Sequence, residues 1–276
     1  MQPEWPEPPG SVTPAPPVSA PLATGTRNVL VTGGGTGIGL AVCEALLAAG
    51  GSVVAVGRRA GPLEALAARH PGRAHALACD VADAAGREGL LQRAAQLLGG
   101  LDGFVHSAGA AVHQPPGHIT DEALHSQLEV NLVAPLRLGE QALDVLAPGG
   151  GMVFVSSTLA HKPVVTSAAY SASKAGLQQV VKVLALAGTA RRVRANAVLP
   201  GVVDTDLVRT PRLHPGEPPL GEAEAKKRVE EQLAALAALH PLGLGQPAHV
   251  AEAVVHLLGA PWTTGAEFVV DGGLLL

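Results

Sequence analysis

Tyr170 and Lys174 stand four residues apart in the stretch YSASK, and Tyr170 is the only tyrosine among 276 residues. In a helix, side chains four apart lie one turn apart on the same face. A phenol with an ordinary pKa near ~10 exchanges protons poorly at neutral pH, but an adjacent ammonium stabilises the phenolate and lowers that value. The pair is therefore suited to general acid–base work on an oxygen atom, against the alternative of a tyrosine that simply packs at an interface. Upstream, Ser156 and Ser157 close an apolar run. A hydroxyl at that point can hydrogen-bond a substrate oxygen.

A second stretch suits phosphate. TGGGTGIG, Thr32 to Gly39, follows a β-branched run and leads straight into a helical segment. Gly33, Thr36, Gly37, Ile38 and Gly39 thus form a turn whose N–H groups and helix N-terminus can hold a pyrophosphate. A glycine-rich string alone is a weak signal, and its place between a strand and a helix is what strengthens it. A P-loop is disfavoured because no Lys-Ser/Thr pair follows the glycines. Asp80 and Val81, closing a later run in CDV, fall near the adenine end of such a ligand; a turn or helix N-cap is the competing reading of Asp80.

These residues need elements to hold them. Short runs NVLVTG (28–33), SVVAVG (52–57), HALACD (75–80), DGFVHSAG (102–109), MVFVSS (152–157), RANAVLPG (194–201) and EFVVDGG (267–273) alternate with helical segments at 39–50, 62–70, 84–100, 123–146 and 170–188. The alternation predicts βαβ units and an α/β fold: a Rossmann-type, doubly wound, seven-stranded parallel sheet with helices on both faces. Ligands of such a sheet sit outside the carboxyl ends of its strands. One stretch, from Val202 to His249, lacks a strand. It carries Pro211, Pro215, Pro218 and Pro219 and then a helical segment, and is expected to form a lid at about 205–239.

Composition narrows the function classes. A net charge of −4 without a Lys/Arg block gives no electrostatic case for nucleic acid or a membrane surface. Two cysteines, Cys43 and Cys79, suit a reducing, cytoplasmic setting. The Pro-rich residues 1–26 have neither an apolar signal core nor transit-peptide arginines, and are expected to be a disordered extension to a single domain spanning 27–276. His113, His118, His125, His249 and His256 lack the acidic or cysteine company of a metal site, so no metal is expected. His113 and His161 are candidates for the wall of a substrate pocket, with histidines of exposed loops as the slightly preferred reading.

Taken in order, the motifs resemble the single-domain short-chain dehydrogenase/reductase family: TGxxxGxG, then an active-site serine thirteen residues before the tyrosine of YxxxK. Ser157 holds that position. The resemblance covers residues 28 to 273 and implies interconversion of a ketone or aldehyde and an alcohol with a nicotinamide cofactor. It implies Tyr170 as general acid/base, Lys174 as modulator of Tyr170 and binder of the nicotinamide ribose, and Ser157 as the group that orients the carbonyl. Asn131, in LEVNL, is similar to the residue that holds a water linking Lys174 to solvent. Pro200, Gly201, Val203 and Thr205 resemble the segment at the nicotinamide carboxamide. The family commonly assembles as homodimers or homotetramers through the helices holding Asn131 and Tyr170 and through the last strand.

Some positions depart from the family pattern. His106-Ser107-Ala108-Gly109 stands where NNAG is usual; Ala108 and Gly109 still allow close approach to a cofactor, while the usual asparagine's bonds must be lost or rerouted. Gly188 and Thr189 are expected to weaken the far end of the tyrosine's helix. At the end of the second run, where NAD-selective enzymes place an acid about twenty residues after the glycine turn, stands Gly57, followed by Arg58 and Arg59. NADP(H) is therefore the expected cofactor, with NAD(H) as second choice, and Arg58 the main phosphate contact. Thr36 counts against it, since many NADP-dependent relatives have a basic residue there. The competing functions are a non-catalytic cofactor-binding scaffold or regulator of the same fold and a nucleotide-sugar epimerase or dehydratase.

Overall fold

The computed structural model describes residues 27–213 and 216–276; the extension expected to be disordered at 1–26 lies outside the described residues. Seven strands form one parallel sheet: β1 (Asn28–Thr32), β2 (Ser52–Gly57), β3 (Ala74–Ala78), β4 (Gly103–His106), β5 (Gly151–Val155), β6 (Arg194–Pro200) and β7 (Glu267–Val270), in the order β3-β2-β1-β4-β5-β6-β7. All seven expected strands are present. The helices are α1 (Gly37–Ala48), α2 (Ala60–Arg69), α3 (Ala84–Arg87), α4 (Leu90–Leu98), α5 (Asp121–Leu128), α6 (Ala134–Val145), α7 (Ala168–Ala187), α8 (Glu222–Ala237) and α9 (Pro247–Gly259).

The near-continuous apolar runs of the central strands follow from burial on both faces. Val29 and Val31 of β1 pack with α1, α2 and α9, while Leu30 between them packs with α4, α6 and α7. Each such side chain removed from water contributes about 1.5–3 kcal/mol, which is what holds the two helical layers to the sheet. The chain changes direction of travel across the sheet between β1 and β4. That switch point opens a crevice at the carboxyl ends of these strands, where the glycine turn and the Ala108–Gly109 segment meet.

Three helical expectations need correction. The segment 84–100 is not one helix: Gly89 takes φ +61 and separates α3 from α4. The segment 123–146 is split by a π-helical turn at Glu129–Val133. Pro135 explains it, because proline has no N–H to return to the Asn131 carbonyl four residues back, and the helix widens there instead of kinking. Third, Gly188 is not a weak interior residue. It ends α7 at a point where a Cβ would lie 2.2 Å from the Val193 carbonyl oxygen, so only glycine lets the chain turn back into β6.

Arg194, at the start of β6, is buried and donates to the carbonyls of Leu257, Leu258 and Ala260, capping the C-terminus of α9. The long stretch after β6 carries α8, none of whose residues is buried. Its attachments are largely to its own approach: Gln232 donates to the Val208 carbonyl, and Arg228 pairs with Glu217. The two roots of the segment are tied together. Asp204 N–H donates to Gly245 O, Gly245 N–H to Val202 O, and Val202 N–H to Nε2 of the buried His240. Among the described residues no helix is long and apolar enough to cross a membrane.

Candidate active site

The glycine turn leaves β1 with Gly33 at φ +70, where a Cβ would lie 2.8 Å from the Ala108 backbone nitrogen. A Cβ on Gly39 would lie 2.2 Å from the Gly33 carbonyl oxygen. These contacts press the turn onto β4 on one side and bring α1 close beneath it on the other. Thr36 precedes α1 in extended conformation and makes no side-chain cap bond, leaving the first N–H groups of the helix directed at the crevice. Ile38 is half-buried behind them, packed against the layer formed by α1, α2 and α9. Gly37 meets Thr205 across the crevice, the threonine methyl lying 3.2 Å from where a Cβ on Gly37 would be. A cavity of about 420 Å³ lies on the outer side of this contact, lined by Gly37, Leu40, Glu44, Asp204, Thr205 and Arg209; it does not reach Tyr170.

Arg58 and Arg59 follow β2, both exposed, and among the described residues neither guanidinium has an ion pair or a side-chain hydrogen bond. Gly57 has room for a side chain, since a Cβ there would only touch Leu63 at 3.8 Å. Asp80 is exposed and uses one carboxylate oxygen to accept from Ala82 N–H, the turn role set against the adenine role in the sequence. Val81 is buried. It is held by Arg87, which donates to the carbonyls of Val81 and Ala82 and pairs with Glu129 at 2.7 Å.

The strand-end histidine reroutes the bonds that an asparagine would make. His106 is fully buried between Thr32 Oγ1, 3.0 Å from Nδ1, and the Val130 carbonyl, 3.2 Å from Nε2. Thr32 Oγ1 in turn accepts from Ala108 N–H. This chain fixes the tautomer: Nε2 donates to the carbonyl and Nδ1 accepts from the hydroxyl. Burial, assisted by the charge of Lys174, lowers the His106 pKa to about 3, so the ring is neutral. Nothing in the sequence assigned Thr32 to this role.

The groups expected to exchange protons gather where β4 and β5 end. Tyr170 and Lys174 lie on one face of α7, with Lys174 Nζ 5.7 Å from the Tyr170 ring centroid. Lys174 is buried and donates to the Val155 carbonyl at 2.9 Å. Ser157 closes the edge of β5, its Oγ accepting from Leu159 N–H and lying close enough to the Tyr170 phenol for hydrogen bonding to lower the phenol's pKa. Ser156 is excluded from the site, because its hydroxyl is spent internally on the Lys174 carbonyl. Asn131 sits in the π turn, fully buried. Its side chain clamps Ala110 from both sides, accepting from Ala110 N–H at 3.0 Å and donating to Ala110 O at 2.8 Å, and it reaches Ser173 Oγ at 3.1 Å. Gly109 is the open point among them. A Cβ there would lie 3.2 Å from Asn131 Oδ1 and 3.7 Å from Lys174 Nζ.

The electrostatics differ from the sequence expectation in one respect. Lys174 was expected to lower the Tyr170 pKa, yet burial raises the phenol above its ordinary value, and the influence that opposes burial is the hydrogen bond with Ser157. Burial also depresses Lys174, to about 8, and its ammonium is committed to Val155 instead of the phenol oxygen.

Pro200, Gly201, Val203 and Thr205 leave β6 on the far side of the crevice. Gly201 lies against Asp271 and the His240 ring, Val203 is buried and bridges Gly245, and the Thr158 hydroxyl holds the Pro200 carbonyl. His240 was missed in the sequence, where nothing marks it as the latch between this segment and the end of α8. His161 is not a pocket wall: it points to β7, pairing with Glu267 at 2.8 Å. Of the histidines considered as ligands, His249 serves in the cap of α9 and His256 lies against Phe268. Among the described residues no three His, Cys, Asp or Glu side chains gather as metal ligands.

The family described as short chain dehydrogenase matches residues 27–215. The chain is 35% identical over 254 residues to carbonyl reductase family member 4 of Xenopus tropicalis, covering 91% of this chain and 99% of that protein. It is 33% identical over 253 residues to L-xylulose reductase of Homo sapiens, covering 90% and 96%. Among solved structures, ligand-free aldohexose dehydrogenase of Thermoplasma acidophilum superimposes with a TM-score of 0.79 at 26% identity, covering 91% of this chain and 95% of that one.

Proposed function

The chain belongs to the short-chain dehydrogenase/reductase family, and from that premise we propose that it is an NADP(H)-dependent oxidoreductase interconverting a ketone or aldehyde and an alcohol, with Tyr170 as the general acid/base. The family's NAD(P) cofactor fits the residues present. Gly33 and Gly39 lie against backbone where any Cβ would clash, which keeps the turn tight, a Cβ on Gly109 would crowd Asn131 and Lys174, and the start of α1 offers N–H groups without a side-chain cap to a pyrophosphate. Arg58 is the residue we assign to the 2′-phosphate, with Gly57 beside it in place of an acid. Arg59, Thr36, Ile38, Asp80 and Val81 complete the adenosine side of this reading, and Pro200, Gly201, Val203 and Thr205 the nicotinamide side.

When bound, the cofactor supplies or accepts a hydride at the substrate carbon. The chain's own residues do the rest. Ser157 hydrogen-bonds the substrate oxygen and orients it beside the phenol. Tyr170 gives its proton to that oxygen in reduction and takes it back in oxidation. Lys174 holds positive charge close to the phenol as the phenolate develops, and Asn131 fixes the Ala110 backbone beside it. The observation that carries this reading is the convergence of Ser157, Tyr170, Lys174 and Asn131 at the strand ends that flank the glycine turn. Retention of all four speaks against a scaffold without turnover.

The two cysteines, Cys43 buried and Cys79 half-buried, are both free, which supports a cytoplasmic enzyme. The test is a panel of aldehydes, ketones and sugars followed by nicotinamide absorbance with both cofactors. We expect NADPH to exceed NADH in kcat/KM by about tenfold to a hundredfold, the worth of one charge-assisted contact. The double variant Gly57→Asp, Arg58→Leu should reverse the order. An unmodified enzyme that prefers NADH would refute the cofactor assignment, and no turnover with any member of the panel would count against the activity.

A further inference from the structure

The loop that follows β4 is fixed at three points. Ala110 is clamped by Asn131, Val112 N–H donates to Gln127 Oε1 at 2.9 Å, and Gln114 bridges Ser167, three residues before Tyr170. His113 lies between the last two fixed points, on the stretch that leads from the Lys174 side of the site to the start of the tyrosine's helix. Its Nδ1 is buried and, among the described residues, has no hydrogen-bond partner. Buried polar atoms without partners are uncommon in folded proteins, and each one needs a reason.

Arg212 approaches His113 from the segment between β6 and α8, near enough for its charge to act on the imidazole. The Arg212 backbone is used: its N–H donates to Gln232 and its carbonyl accepts from Arg228. Its guanidinium is not. Among the described residues it has no ion pair and no side-chain hydrogen bond, while the neighbouring acid, Glu217, pairs with Arg228. The guanidinium is half-buried, and its loss of water lowers its pKa. A desolvated cation whose charge reaches an unpartnered imidazole nitrogen is a poor arrangement for a chain at rest, and a good one for receiving an anion.

We propose that Arg212 and His113 form the anion-receiving end of the substrate site, so that the carbonyl substrate carries a carboxylate. This rests on the assignment of Tyr170 as the proton donor. One guanidinium beside an imidazole matches a single negative charge, and the planar fork of arginine fits two carboxylate oxygens; a phosphate dianion would call for a second cation. His113 is neutral at physiological pH, because burial and the charge of Arg212 hold it at about 4, and it serves as a hydrogen-bond donor through Nδ1. The position of Arg212 ties recognition to the segment proposed as a lid, since the residue that meets the anion comes from that segment.

The test uses two aldehydes that differ only in charge, 4-carboxybenzaldehyde and 4-carbamoylbenzaldehyde. The wild-type chain should reduce the carboxylate with kcat/KM about tenfold to a hundredfold above the amide. Arg212→Gln should remove that advantage while leaving the amide within about twofold, and Arg212→Lys should restore part of it. His113→Phe, which keeps the ring volume and removes both nitrogens, should weaken the carboxylate selectively. Equal efficiency on both aldehydes, or an equal loss on both in Arg212→Gln, would overturn the proposal. Calorimetric binding of the same pair to Tyr170→Phe with NADPH present separates this inference from the assignment of the proton donor. Tighter binding of the carboxylate, lost in Arg212→Gln, supports the anion site even where turnover fails; equal affinity, or no detectable carboxylate binding, refutes it.

Discussion

Burial raises the pKa of the Tyr170 phenol and keeps it protonated at neutral pH, so under the proposed mechanism the proton for carbonyl reduction is already in place. Its removal is the harder direction. The Ser157 hydrogen bond favours the phenolate, while the Lys174 ammonium, at 5.7 Å from the ring and depressed to about 8, loses its charge before the phenol ionises. Reduction should therefore hold its rate through neutral pH and fall in the alkaline range as Lys174 and then Tyr170 deprotonate. Alcohol oxidation, which needs the phenolate, should rise with pH over the same range; pH profiles of kcat/KM in both directions check this, and a reduction rate that climbs above pH 8 would contradict it. Tyr170→Phe should lower kcat by about 10²–10⁴-fold, the usual worth of a positioned acid, with cofactor affinity measured by fluorescence titration nearly unchanged. Lys174→Ala should weaken both, since it also strips the Val155 carbonyl of its donor.

At the scale of elements, what the sequence made legible was whatever repeats with a short period. Strands buried on both faces read as apolar runs, and all seven were found within a few residues of their bounds. The proposed catalytic set could be put forward from sequence for a related reason: Tyr170 and Lys174 share one helix, and Ser157 stands at a fixed spacing from them. Residues brought together from distant segments left no such trace. Thr32 with His106, Arg87 with Glu129, His240 with Val202 and Arg212 with His113 are pairs made by topology, with no periodic signal to announce them. The segment 205–239 is the extreme case, because α8 buries no residue and is held mainly by its own loop. Its roots, by contrast, are tied through Asp204, Gly245 and His240. Free stretches between fixed roots are how lids are built, and local opening costs least where few apolar contacts are lost. Hydrogen exchange should show fast exchange for α8 without cofactor and slower exchange with NADPH, while α7 and β6 stay protected throughout; equal exchange of α8 in both states would remove the lid.

At the scale of the whole molecule, the apolar surface is not evenly spread. Val183 and Leu186, three apart on the outer face of α7, are 61% and 74% exposed, and on β7 Phe268 and Val269 are 42% and 43% exposed. Among the described residues β7 pairs only with β6, so its outer edge offers unpaired backbone groups to another chain. Charges brace this edge from within. Burial alone would raise the Glu267 carboxyl, but hydrogen bonds from Lys182 and His161 hold it below its usual value, and Lys162 fixes the Leu274 carbonyl. A strand held this firmly at its inner side while leaving apolar side chains and one edge open fits contact with a second copy, and the exposed face of α7 would offer a second, separate contact. We infer a homodimer or homotetramer. Leu186→Glu and Phe268→Glu change exposed side chains, and such substitutions leave monomer stability within about 0.5 kcal/mol. Any effect they have on sedimentation therefore reports assembly. Each variant should lower the sedimentation coefficient, and the two together should give monomers if both faces are used; a wild-type chain that sediments as a monomer at working concentration would show that these surfaces serve some other purpose.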